Sequence, residues 1–269
     1  TLSAGQLTTD GTLQGQQASI SADDWRHLGS LLGSGSLLAQ VANQLTSSGE
    51  LMSQGDTQLN AATLNNSGSL LGSGDITLSG GSLTNSGSVQ GKTLTLTPAQ
   101  IVNRGKLIGI EALTLGAPAV AGRTLLSAVA QPARELRNEQ GGSLLTQGDL
   151  TVKSGSVTNN GSWQAQNILL NADELNNGGA IQSAGNMQLV LGNTLTSGAG
   201  SKISAGGTAA LQALALTNSG EWIAKNLTLK ADSLTSSGSV SGVNGLTLDV
   251  KGLNQQQGGS LLSGGALTL

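Results

Sequence analysis

The chain has 269 residues with 41 Gly, three Trp and no Phe, Tyr or Cys; a tenth of it is charged, and the net charge is −3. Without aromatic side chains, each of which hides about 150–250 Å² in an ordinary domain, a core has to be built from Leu, Val, Ile and Ala. The charge balance excludes a nucleic-acid binder, because no Lys/Arg cluster is present to neutralise phosphates, and no apolar run reaches the roughly 20 residues of a membrane span.

No charged-then-apolar leader opens the chain, so it reads as mature or internal. Disorder is excluded by frequent, evenly spaced Leu and low charge. The absence of cysteine leaves the redox compartment open.

Read from the N-terminus, one phrase returns again and again. Its clearest copies begin at Leu64 (Leu-Asn-Asn-Ser-Gly-Ser-Leu-Leu-Gly-Ser-Gly-Asp-Ile-Thr-Leu) and Leu83 (Leu-Thr-Asn-Ser-Gly-Ser-Val-Gln-Gly-Lys-Thr-Leu-Thr-Leu). Weaker copies open at Leu7, Trp25, Leu45 and Ile101, and strong ones at Val157, Leu175, Leu216 and Leu234. Copies at Leu136, Leu195 and Leu253 carry two extra residues in a Gly-rich stretch, where a turn absorbs length. The spacing predicts about a dozen units of roughly 18–21 residues over 1–269, read as a single rod. One departure, 116–135, holds two of the three prolines and is expected to be an excursion off the rod or a degenerate coil.

Within a unit the apolar residues fall in three groups: the opening residue, a Leu, Val or Trp six on, and a pair such as Leu94/Leu96 or Ile168/Leu170. Period-two alternation is the mark of strands. Three short strands cannot bury an apolar face alone, but stacked units close every ladder and share one core. The fold class predicted is all-β, a right-handed parallel β-helix. A leucine-rich repeat is excluded because its Leu-x-x-Leu-x-Leu phrase does not recur. Leu70, Val89, Trp163, Ile181, Trp222 and Val240 are expected to face inward at one register.

Two further registers concern corners. Gly68, Gly87, Gly105, Gly161, Gly179 and Gly220 lie four residues after the opening position, as do Gly11, Gly29, Gly49 and Gly238. A glycine held at one register implies positive φ or close backbone approach. Asn66, Asn85, Asn103, Asn159, Asn177 and Asn218 lie two residues earlier and are expected to stack as a hydrogen-bonded amide ladder; a ligand-binding stripe is the competing reading. His27 shares that register and reads as a corner residue.

Catalytic chemistry on a β-helix requires stacked acids with basic neighbours. Asp56 and Asp75 fall at one register on adjacent coils but follow Gly in turns, without a basic partner. Asp23, Asp173 and Asp232 share a register on coils that do not touch. His27 has no Cys or second His to complete a zinc site, and no Ser–His–Asp set is visible. The Gly-x-Gly strings are turns of the repeat rather than phosphate loops, and the calcium-binding nonapeptide of β-rolls is absent. Trp25, Trp163 and Trp222 occupy apolar registers and read as core rather than as sugar platforms. No catalytic residue, metal site or cofactor is expected.

The phrase Leu-Thr-Asn-Ser-Gly-Ser-Val-Gln-Gly-Lys-Thr-Leu-Thr-Leu resembles the filamentous-haemagglutinin repeats of bacterial exoproteins secreted by the two-partner route. The family includes haemagglutinin adhesins and CdiA-type contact-dependent growth inhibition effectors. The resemblance covers nearly everything outside 116–135. It implies a secreted, cell-surface location, export through a CdiB-type outer-membrane transporter, and a spacer role for an internal slice of a longer protein. Contact with a target-cell receptor would then fall to other regions. Neither the Asn-Pro-Asn phrases of that family's secretion domain nor a toxin module occurs in this sequence. The alternatives are a receptor- or glycan-binding module and, further off, a carbohydrate-active enzyme.

Overall fold

A computed structural model describes residues 1–116 and 134–269. The chain forms two compact units, Thr1–Leu136 and Arg137–Leu269. Each is a β-solenoid of short strands paired in parallel with the corresponding strands of the next coil. The interior of 116–135 lies outside the described residues, so the expected excursion there does too.

In the first unit the opening residues stack in order: Leu7 on Trp25, Trp25 on Leu45, Leu45 on Leu64, Leu64 on Leu83, Leu83 on Ile101. In the second, Val157 is followed by Leu175, Leu195, Leu216, Leu234 and Leu253. Parallel pairing needs a long return connection, and here the other two faces of each coil provide it.

The strands follow from the pattern. In Leu37–Ser47 and Thr57–Asn66 alternate residues are buried along the first half, as period two requires. Leu59, Leu78, Leu96 and Leu115 form one wall of the first core; Leu31, Leu51, Leu70, Val89 and Leu107 form another. In the second unit Leu144, Trp163, Ile181, Ile203, Trp222 and Val240 stack at one register, each buried.

Coil length is absorbed at all three corners. The three two-residue insertions each close a turn in which Gly142, Ser201 or Gly259 donates its backbone N–H to the carbonyl three residues back. The third residue of each turn is Gly141, Gly200 or Gly258, with φ of 85°, 78° and 89°. That is the geometry of a type II turn, which favours glycine at this position. The remaining adjustment comes from bulges at the other two corners, as between Ala205 and Thr208, where the second face turns into the third, and between Val41 and Gln44, where the third face leads into the next opening residue. A bulge takes up one extra residue without reversing the faces of the strands around it.

The corner glycines have a different reason. None of Gly68, Gly87, Gly105, Gly161, Gly179 or Gly220 has positive φ. A Cβ placed on Gly87 would instead overlap the carbonyl oxygen of Gly68, one on Gly105 that of Gly87, and one on Gly179 that of Gly161. Of the two explanations that the sequence offers, close backbone approach is the operative one.

Candidate functional site

The most developed polar feature is the buried column at the first corner. In the first unit its members are Thr9, His27, Ser47, Asn66, Asn85 and Asn103, register partners in turn. Asn66 Nδ2 donates to Asn85 Oδ1 at 2.8 Å, and Asn85 Nδ2 donates to Asn103 Oδ1 at 2.8 Å. The second amide hydrogen of Asn85 reaches the Lys106 carbonyl at 3.2 Å. The main chain reinforces the same corner: the Asn85 carbonyl accepts from Arg104 N at 2.7 Å and Gly105 N at 3.2 Å. Because these amides are buried, each bond replaces hydration that burial has removed.

In the second unit Asn138 Nδ2 donates to Asn159 Oδ1 at 2.9 Å, and Asn159 Nδ2 to Asn177 Oδ1 at 2.8 Å. Asn138 was absent from the residues expected on sequence grounds, although it stands two after the opening Leu136; the insertion behind it obscured the register. Asn218 corrects the expectation in the other direction. It keeps the register, but its neighbours in the column are Ser197 and Ser236, so no amide faces it. It turns to its own coil and the next, accepting from Gly220 N at 3.0 Å and donating to the Ser239 carbonyl at 3.1 Å.

Two hydroxyl steps in the column, Thr9 and Ser197, receive tryptophan. Trp222 Nε1 donates to Ser197 Oγ at 2.8 Å, and Trp25 Nε1 to Thr9 Oγ1 at 3.0 Å; in both cases the hydroxyl lies one coil earlier. Trp163 follows a coil that carries Asn138 instead, and its buried indole N–H has no hydrogen-bond partner. Ser47 Oγ and Asn66 Oδ1, on neighbouring coils, are likewise buried without one. All three indoles are at most 1% exposed, which leaves no aromatic platform for a sugar ring.

His27 is fully buried in this column, tilted against Trp25 with ring centroids 5.5 Å apart. Its Nε2 lies 2.9 Å from the Glu50 carbonyl, which can only accept, so Nε2 carries the hydrogen. Nδ1, 2.8 Å from Thr9 Oγ1, then accepts from that hydroxyl. Burial pushes the imidazole below the ordinary histidine value, opposed in part by the bond to Glu50. Every ring nitrogen is engaged in holding coils together, so neither is free to move a substrate proton.

The acids form an exposed counterpart. Asp75 N donates to Asp56 Oδ1 at 2.9 Å, and Thr93 Oγ1 to Asp75 Oδ1 at 2.8 Å. The same corner in the second unit has Asn167 Nδ2 donating to Asp149 Oδ1 at 2.9 Å, Asn186 N to Asn167 Oδ1 at 2.9 Å, and Thr208 N to Asn186 Oδ1 at 3.0 Å. Asp56 and Asp75 do stand together, but each uses an oxygen to bind the next coil. Beyond that pair this second column was missed in the sequence. The recurring Gly74-Asp75, Gly148-Asp149 and Gly185-Asn186 just ahead of the apolar pair was the available signal. An open groove beside it in the second unit, lined by Asp149, Asn167, Asn186 and Thr208, has one carboxylate and so lacks the acid pair of glycan cleavage.

Among the described residues, no three His, Cys, Asp or Glu side chains are grouped to hold a metal ion. No helix among them is long and apolar enough to cross a membrane.

The fold and its columns thus define a repeat protein whose polar chemistry is spent between coils. The chain belongs to the haemagglutinin repeat family, whose model matches residues 1–128, 112–189, 165–221 and 222–269. It is 52% identical to the 16S rRNA endonuclease CdiA of Enterobacter cloacae subsp. cloacae, over 100% of this chain and 8% of that protein. It is 50% identical to a tRNA nuclease CdiA of Escherichia coli (98% of this chain, 8% of the relative) and 38% identical to the deoxyribonuclease CdiA of Dickeya dadantii (89% and 7%). The chain therefore spans under a tenth of the length of these relatives. No solved structure matches it.

Proposed function

We propose that this chain is a stalk segment of a large bacterial surface exoprotein, extending a receptor-binding or toxin-delivering tip away from the producing cell in contact-dependent inhibition of its neighbours. One observation carries the reading. Relatives named for action on rRNA, tRNA and DNA share this segment along nearly its whole length, while it makes up 7–8% of theirs. A segment common to proteins with three different nucleic-acid targets is not the part that selects among them. The segment itself is then no enzyme. Asn66, Asn85, Asn103, Asn159, Asn177 and Asn218 serve cohesion rather than ligand binding, as do the corner glycines. Export through a CdiB-type outer-membrane partner and display at the cell surface follow from the same kinship.

The test is a deletion of whole coils in the parent exoprotein. Removing Leu64 through Gln100 joins Thr63 to Ile101, and Ile101 stands at the register Leu64 held, two steps along the column. Inhibition of target cells and secretion are expected to persist, because a spacer tolerates a small change of length. Loss of target-cell binding by a normally folded and secreted variant would make the segment a recognition surface instead.

A further inference from the structure

Near-identical coils create a hazard of their own. Every coil edge offers the same backbone ladder and the same apolar columns, so a coil can pair with the wrong neighbour, including its twin in a second copy of the chain. The backbone ladder does not discriminate between these partners, and the aliphatic columns do so only weakly. The exposed side chains do.

In the second unit three ion pairs bridge successive coils, all of them solvent-exposed. Lys202 Nζ lies 3.2 Å from Glu221, Lys230 Nζ 3.1 Å from Asp249, and Lys251 Nζ 2.8 Å from Asp232. The last two are crossed. Within the strand Glu221–Ser236 the order is Lys230 then Asp232, and within Ser239–Gln255 it is Asp249 then Lys251. Lys230 is the register partner of Asp249, and Asp232 faces Lys251 between the pairs Ala231–Val250 and Ser233–Gly252. The coil before offers Gln212 and Leu214 at these registers, with no charge to answer either.

We infer that the crossed quartet Lys230, Asp232, Asp249 and Lys251 is a registry device that selects the native coil neighbour over homotypic pairing between chains. Stacked on its own twin, either coil sets ammonium on ammonium and carboxylate on carboxylate at about the 4.8 Å spacing of paired strands. Stacked on the coil before, the coil of Asp249 and Lys251 gains no ion pair. Among the described coils, only the native neighbour satisfies both columns at once. An exposed pair adds little to the equilibrium stability of a finished fold. It has more influence on a choice between edges that are otherwise alike, where attraction in one pairing is set against repulsion in the other. The quartet would act in this way whether or not the segment is a stalk.

The experiment refolds the full 269-residue chain from urea and measures the monomer fraction by size exclusion with light scattering. A neutral quartet (Lys230→Gln, Asp232→Asn, Asp249→Asn, Lys251→Gln) is expected to lower monomer recovery by about two-fold or more at low salt. A complete inversion (Lys230→Asp, Asp232→Lys, Asp249→Lys, Lys251→Asp) preserves both the native attraction and the homotypic repulsion and should recover like the parent chain. In about 0.5 M NaCl the parent and the inverted chain should fall toward the neutral quartet, because exposed charges are then screened. A neutral quartet that melts lower yet recovers as much monomer would reduce the pairs to ordinary stability and overturn the proposal. An inverted chain recovering no better than the neutral one would overturn it as well.

Discussion

Two of the three tryptophans, Trp25 and Trp222, are tied to hydroxyls of the buried column. At Thr9 and Ser197, where a hydroxyl stands in the buried column in place of Asn, its oxygen accepts from the indole of the following coil. Ser197→Ala removes that acceptor and leaves the N–H buried and unpaired, at a cost of about 1–3 kcal/mol in urea unfolding. A Ser197→Ala chain as stable as the parent would show the bond to be dispensable. His27 adds a dependence on pH. Its folded-state pKa lies below the unfolded value, so the unfolded chain binds more protons as pH falls through roughly 6.5 and the fold loses stability. That loss ends once the pH drops below the depressed folded value. Melting temperature should therefore fall between pH 8 and 5, and the drop should be smaller for His27→Asn, which puts at this register the residue that most of the column already uses.

Among elements, the two kinds of glycine separate cleanly. Gly87→Ala drives a methyl into the Gly68 carbonyl, a backbone atom that cannot move without parting two coils. Gly200→Ala has open space for its methyl and bears only the conformational penalty of positive φ, about 1–2 kcal/mol. Thermal melts should rank Gly87→Ala well below Gly200→Ala, and the reverse order would refute the close-approach explanation. On the adjoining strand, Ile181→Asp buries a carboxylate between Trp163 and Ile203 with no partner and should cost several kcal/mol. The strands themselves were legible: opening residues, inward registers and insertions all follow from spacing that recurs a dozen-fold. Bulges were not, because a bulge leaves alternation intact on either side and marks itself by no residue type. The second, exposed column was hidden for a related reason. Asp, Asn and Thr share it, and their common property, an oxygen offered to the next coil, is not a common letter.

At the scale of the molecule, stability in each unit is nearly a sum over coils and their interfaces, since each coil touches only its neighbours. Deleting Leu64 through Gln100 from the isolated chain should leave a cooperative, shorter fold. Deleting Leu64 through Leu94 brings unlike strand positions together and turns apolar residues outward. That variant should aggregate or melt without cooperativity, and a sharp transition from it would contradict the stacking of Leu64 on Leu83 and Leu83 on Ile101. The sequence revealed this architecture because the same residues are repeated for the same physical reason. It was silent about any larger activity, because the polar groups that a reader would search for chemistry are consumed in joining one coil to the next.

The amide column has a further property, which is direction. Asn66 donates to Asn85, and Asn138 to Asn159, always from the earlier coil to the later. The exposed column runs the other way in kind: Asp56 and Asn167 hold out oxygens to backbone N–H groups of the coil that follows. A coil that carries both groups, such as that of Asn66 and Asp75, thus presents hydrogens at one corner and oxygens at another, a two-pin socket shaped for its successor. Two such ends brought face to face would set hydrogen against hydrogen and oxygen against oxygen. The stack therefore has a before and an after written into it, and a coil added at either end has to enter in the same orientation as the rest.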